Sequence, residues 1–228
     1  MTNARNPKHE TPYPTLILAS QSPRRAQLLR DAGFTITQQS PPYADPDQPE
    51  ETRPQSLHEA EQYAAGLAMQ KALSMVQAVD HPALILSADT LCVSLSPDTE
   101  GMLIGKPTGL ADARSMITGF MNRAHAVVTG VALLEVNAGQ ADRQPLEKTL
   151  ADTAVVTLGH VPDADLERYL DAGDWQGKAG GYNLFDRQTA GWPITVEGDP
   201  TTVVGLPMRK FVAALAELGL RPPVRDDR

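Results

Sequence analysis

Residues 15–34 read TLILASQSPRRAQLLRDAGF, and this stretch decides the fold class. Residues 15–19 form a short β-rich apolar run, and SQSP interrupts it before RRAQLLRDAGF takes up a helical spacing. Ser22 is placed to cap that helix, Pro23 suits its first turn, Leu28 and Leu29 face a core, and Gly33 supplies a left-handed stop. Strand, tight loop, helix is the opening unit of an α/β protein.

The same alternation continues outward. Residues 40–55, rich in Pro, Asp and Glu, read as an exposed loop. A helix follows, in which Ser56 and Glu59 have capping-box spacing and Lys71 sits beside the buried stripe of Leu57, Ala60, Ala64, Leu67 and Ala68. ALILSADTLCVSL (83–95) reads as a buried strand interrupted at Asp89, followed by a turn and MLIGKP (102–107). Residues 108–121 have helical spacing, HAVVTGVALLEV (125–136) and ADTAVVTLG (151–159) read as long strands, and 162–172 as a short helix ending at Gly173. The glycine-dense segment 173–192, a last strand at PITVE (193–197) and a closing helix over 206–218 complete the chain. The expectation is a mixed sheet with helices on both sides. Residues 1–14 and 219–228 are expected to be loosely held tails around one domain, 15–218.

Composition narrows the function. The 228 residues hold 41% hydrophobic and 21% charged side chains, enough to bury a core. No run approaches the roughly 18 apolar residues of a membrane span, and the N-terminus has no apolar stretch like a signal peptide; a soluble cytoplasmic protein is expected. A net charge of −8 argues against sequence-independent binding to nucleic acid or acidic lipid. The lone Cys92 excludes an internal disulfide and any cysteine-built metal site. The five histidines show no paired metal spacing, and there is no GxSxG elbow.

A small anionic ligand would need the few basic residues to gather. SQSPRR offers a strand–loop–helix junction with free N–H groups, to which Ser20, Ser22, Arg24 and Arg25 add hydroxyls and charge. Its plainer reading is a helix start with solvated arginines. Asp89, after an apolar run, is a candidate base or metal ligand, or else a turn residue. A carboxylate set against phosphates needs Mg²⁺ or Mn²⁺ to offset the repulsion. Lys71, Lys106 and Lys178 could each neutralise a phosphate oxygen, or simply be solvated. Tyr182 and Trp192 are either stacking partners for a base or core aromatics.

Taken in order, LASQSPRRAQLL, MQKAL, SADT, GKP, HAVVTGVAL, YLDAGDWQGKAGGY and GDPTTVVGLPM resemble the motifs of the Maf family over roughly residues 15–218. The resemblance implies an elongated, two-lobed α/β fold with a central cleft, like that of the inosine triphosphatase group, often dimeric. It implies a house-cleaning nucleoside triphosphate pyrophosphatase that releases a monophosphate and pyrophosphate with a divalent cation. It makes Asp89, already a metal-ligand candidate by charge balance, the proton acceptor, and puts Ser20, Arg24, Arg25, Lys71, Lys106 and Lys178 on the phosphates. Arg25 and Thr90 then fall at specificity positions, with dTTP, UTP and 7-methyl-GTP as candidate substrates. Three departures stand out: Phe185 occupies the glutamine position that the family links to base choice, with Gln188 three residues on as the candidate substitute for that specificity role, Gly177 replaces an Asp, and Pro46 follows Asp45 where the family has Asp-Glu. They leave open an alternative, a catalytically weakened nucleotide-binding protein.

Overall fold

The computed structural model describes residues 15–43, 54–136 and 146–220. The expected tail at 1–14, the Asp45–Pro46 departure and residues 221–228 of the expected tail at 219–228 lie outside the described residues, whereas the Leu220 N–H donates to the Leu215 carbonyl and its side chain packs on the core. The opening unit forms as its residues dictate. Strand β1 (Thr15–Ala19) leads to α1 (Pro23–Asp31), whose first turn is capped by Ser22 Oγ accepting from the Arg25 N–H. Gly33, at φ +86°, reverses the chain so that the Phe34 N–H reaches the Leu29 carbonyl. The chain then adds β2 (Ile36–Gln39) parallel to β1, an element whose polar sequence gave no strand signal.

Helix α2 (Leu57–Ser74) starts at Ser56, whose hydroxyl accepts from the Glu59 N–H. After it come β3 (Ala83–Ser94), β4 (Leu103–Ile104), α3 (Leu110–Phe120), β5 (Arg123–Val136) and β6 (Glu147–Leu158). The remainder is α4 (Asp163–Asp171), α5 (Leu184–Thr189), β7 (Ile194–Glu197), α6 (Pro200–Val204) and α7 (Met208–Glu217). The described strands form one mixed sheet in the order β2-β1-β3-β5-β6-β7, with β4 paired to β3. Pairing is parallel on either side of β1 and antiparallel elsewhere.

Both faces are covered. On one, α2 lays Ala60, Ala64, Ala68 and Ala72 at i,i+4 spacing against β3 and β5. Gly130 on β5 lets it come close, because a Cβ there would lie 2.1 Å from the Ala64 carbonyl carbon. The other face carries two separate apolar clusters. Leu84, Leu86, Ala88, Val131 and Leu133 meet α1 and α7, whereas Cys92, Val127, Val156 and Leu158 meet α3 and α4. Between the clusters runs a polar row, Thr90 opposite Thr129 and Thr129 opposite Asp152.

Strand β3 is not interrupted at Asp89; it runs through, with Asp89 registered opposite Gly130. The long antiparallel partner β5 keeps the ladder intact, and the carboxylate meets a lysine instead of ending the strand. The other edge of β3 is where continuity fails. It pairs with β1 as far as Leu86 and with β4 only from Cys92. That gap in the sheet, next to the C-terminal end of β1, positions the site.

Candidate active site

Asp89 and Thr90 stand at the gap and project to opposite faces, as successive strand residues must. Asp89 faces α2, where Lys71 Nζ donates to its Oδ1 in an ion pair with both side chains only 15% exposed. Placing Lys71 beside the buried stripe of α2, as the sequence spacing does, brings its ammonium to the sheet edge.

On the other face lies Arg25. Its Nε donates to the Gly205 carbonyl (2.7 Å), one terminal nitrogen to Ser20 Oγ (3.1 Å) and the other to Thr90 Oγ1 (2.9 Å). Burial pushes its guanidinium down to about 10, against the opposing pull of Asp89, so it stays charged at neutral pH. Gly205, at φ +108°, leaves room for this clamp, since a Cβ there would sit 3.0 Å from Thr90 Oγ1 and 3.1 Å from Arg25 Nε. Ser20 is buried, its Oγ also accepting from the Ser22 N–H (3.1 Å). Arg25 and Ser20 therefore shape the junction, whereas the neighbouring Arg24 is exposed and lines the cleft.

The cleft has two adjoining parts that share part of their lining. One, of about 440 Å³, is lined by Asp89, Leu67, Ile104, Gly105 and Lys106; the other, of about 210 Å³, by Arg24, His125, Gly177, Lys178, Tyr182 and Asn183. Thr90, Cys92, Lys106 and Ala179 line both. The Gly180 N–H donates to the Gly105 carbonyl (3.1 Å), which ties the Lys106 turn to the Lys178 loop. The Lys178 ammonium rests on the Asp174 carbonyl. Among the described residues Asp89 is the one carboxylate lining either part, and four cations, Arg24, Lys71, Lys106 and Lys178, surround or line the space.

Two expected specificity residues are placed elsewhere. Phe185 lies on α5 with 42% of its surface exposed and lines neither part. Gln188 spends its amide on the Ile194 carbonyl (3.1 Å). Trp192 belongs to the core, edge-to-face with Tyr169, but Tyr182 does reach the cleft. Gly177 lines the cleft at φ +71° and brings no carboxylate to it.

Sequence reading missed His125, Asn183 and Thr129. The Tyr182 hydroxyl lies 3.1 Å from His125 Nε2, and burial holds this histidine down to about 4, neutral at pH 7. A polar residue at an inward position of an apolar strand is the signal that marks both His125 and Thr129.

A divalent cation fits this donor set in one way. No group of three or more His, Cys, Asp or Glu gathers among the described residues. Magnesium, however, is commonly held by one or two carboxylates together with substrate phosphates. Asp89 supplies that carboxylate at the cleft, so the residues suit a cation that is shared with a phosphate-bearing ligand.

The family model described as Maf-like protein matches residues 15–218. A protein of Shouchella clausii named dTTP/UTP pyrophosphatase is 35% identical over 213 residues, covering 92% of this chain and 98% of its own length. One of Salinibacter ruber with the same name is 37% identical over 201 residues, covering 88% and 89% respectively. Among solved structures, a HAM1 protein from Coxiella burnetii aligns over 89% of this chain and 98% of its own, with 14% identity and a TM-score of 0.43.

Proposed function

The chain belongs to the Maf family, and from that premise we propose that its cleft hydrolyses a nucleoside triphosphate, of the dTTP/UTP type, to the monophosphate and pyrophosphate. The observation that carries the reading is that Asp89, at the open edge of β3, is the one carboxylate among the described residues that line a cleft to which Arg24, Lys106 and Lys178 bring positive charge. A tetra-anionic ligand suits such a cleft even though the protein as a whole is acidic.

In the proposed mechanism Lys71 fixes Asp89 through Oδ1, and Oδ2 takes a proton from a water molecule. The water oxygen forms a bond to the α-phosphorus as the bond from that phosphorus to the α–β bridging oxygen breaks. The electron pair leaves on pyrophosphate, where Arg24, Lys106 and Lys178 stabilise the growing charge. A divalent cation, which Asp89 would hold together with the substrate phosphates, would supply further charge neutralisation. The reading carries with it a house-cleaning role and the cytoplasm as its place.

The test is hydrolysis of UTP, dTTP and 7-methyl-GTP with Mg²⁺ or Mn²⁺ in ¹⁸O-water. Pyrophosphate as product, with the label in the monophosphate, supports the reading. Orthophosphate as product, or label in the pyrophosphate, refutes it. Binding with no product would favour the catalytically weakened alternative, which Phe185 and Gly177 motivate.

A further inference from the structure

The polar row across the sheet is wired in one direction. Thr129, fully buried, lies with its hydroxyl 2.7 Å from the Thr202 carbonyl, which can only accept, so the single hydroxyl proton of Thr129 is committed there. Thr129 Oγ1 is also 3.0 Å from Thr90 Oγ1. Because Thr129 has no second proton, Thr90 must be the donor of that pair. Arg25 in turn donates to Thr90 at 2.9 Å. The Thr90 hydroxyl thus has its proton turned inward and one lone pair occupied, and what remains toward the cleft is an acceptor. The wiring continues behind it: Thr202 Oγ1 donates to Asp152 Oδ2 (2.5 Å), and Asp152 is paired with Lys210 (2.8 Å).

We propose that Thr129, which lies outside the cleft, is a positioning residue for substrate selection: by accepting the Thr90 proton it makes Thr90 an obligate acceptor that reads a hydrogen-bond donor on the nucleoside. A phosphate oxygen, itself an acceptor, is not a partner for Thr90. The complementary groups are the imide N–H of a uracil or thymine ring, or a sugar hydroxyl. Cytosine carries a bare ring nitrogen where uracil has that N–H, and a 3′-fluoro group keeps an acceptor where the sugar has a donor. The inference rests on the nucleotide reading above and adds the sense of the hydrogen bond and the residue that fixes it. Loss of Thr129 is structurally mild, because the Thr202 carbonyl also accepts from the Gly205 N–H (3.1 Å).

The test is equilibrium binding of non-cleavable α,β-imido nucleotides in two pairs, UTP against CTP, and dTTP against its 3′-fluoro analogue. A site built around a substrate donor rejects the analogue lacking it. Wild type and Thr129→Ser should therefore prefer the donor-bearing member of one pair by at least about tenfold. Thr129→Val frees the Thr90 proton to turn toward the cleft and should bring that preference below about threefold, with thermal unfolding showing that the variant is folded. Thr129→Ala, which is smaller, repeats the removal should the valine not be accommodated. Wild-type preferences below about tenfold in both pairs, or an unchanged preference in the folded Val and Ala variants, would overturn the proposal. Because binding is read, a chain that binds these analogues but hydrolyses no parent nucleotide overturns the pyrophosphatase reading alone.

Discussion

Gly130→Ala is a one-carbon change that tests how the fold delivers Lys71 to Asp89. The added Cβ would lie 2.1 Å from the Ala64 carbonyl carbon and 2.2 Å from the Ala65 nitrogen. Carbon atoms are comfortable at about 3.5 Å, so the shortfall is roughly 1.4 Å, and the obstacle is helix backbone with no rotamer to change. Helix α2 must lift from the sheet, breaking the close fit of Ala60, Ala64 and Ala68, all fully buried. Overpacking of this kind costs about 1–3 kcal/mol, and backbone contact puts this case at the upper end. For a chain of this size that corresponds to a fall in Tm of about 6–12 °C. Lys71 rides on the same helix, so the ion pair that holds Asp89 shifts with it. Misplacement by about 1 Å can cost about a hundredfold in rate. Calorimetry together with kcat/KM at 25 °C, where the variant is still folded, reads both effects. An alanine variant with wild-type Tm and wild-type kcat/KM would refute the claim that Gly130 sets the approach of α2.

Three further outcomes are expected. Gly66→Ala, on the exposed side of α2 with nothing within 4 Å of the new Cβ, should raise stability by about 0.5–1 kcal/mol in urea unfolding; a loss would contradict that. Gly205→Ala, at φ +108° and against Thr90 and Arg25, should cost about 1–3 kcal/mol and weaken nucleotide binding, with an unchanged melting curve as the contrary result. His125 is held down to about 4 in the fold against about 6.5 unfolded, so the unfolded chain takes up a proton first as the pH falls. Its contribution is complete above about pH 6.5 and is lost on descent to about pH 4, by about 3 kcal/mol in all. His125→Phe should flatten that part of the stability profile, and an unaltered slope would show that other groups set it.

Much of the scaffold was legible because its signals are local. Ser22, Pro23 and Gly33 punctuate α1, and Ser56 caps α2, through contacts within a few residues in sequence. β2, α5 and α6 were missed for a common reason. Their sequences, ITQQ, LFDRQT and PTTVV, are too short or too polar to carry a period, and they are held by neighbours distant in sequence. Asp89 illustrates the same limit: its polarity marks it as special, but only the partner strand decides that β3 continues through it. At the site, the lysines were visible as residue types. What the sequence could not reveal was that Arg25 is consumed by three protein acceptors while Arg24 lines the cleft, since the choice depends on Gly205, 180 residues further on.

The proposed chemistry turns on one carboxylate, and Asp89→Asn measures its worth directly. The amide keeps the shape of the side chain but cannot take the proton from water. With UTP and Mg²⁺, pyrophosphate release should fall by about 10²–10⁴ while thermal unfolding stays close to wild type. Turnover within a few fold of wild type in a folded asparagine variant would contradict the assignment.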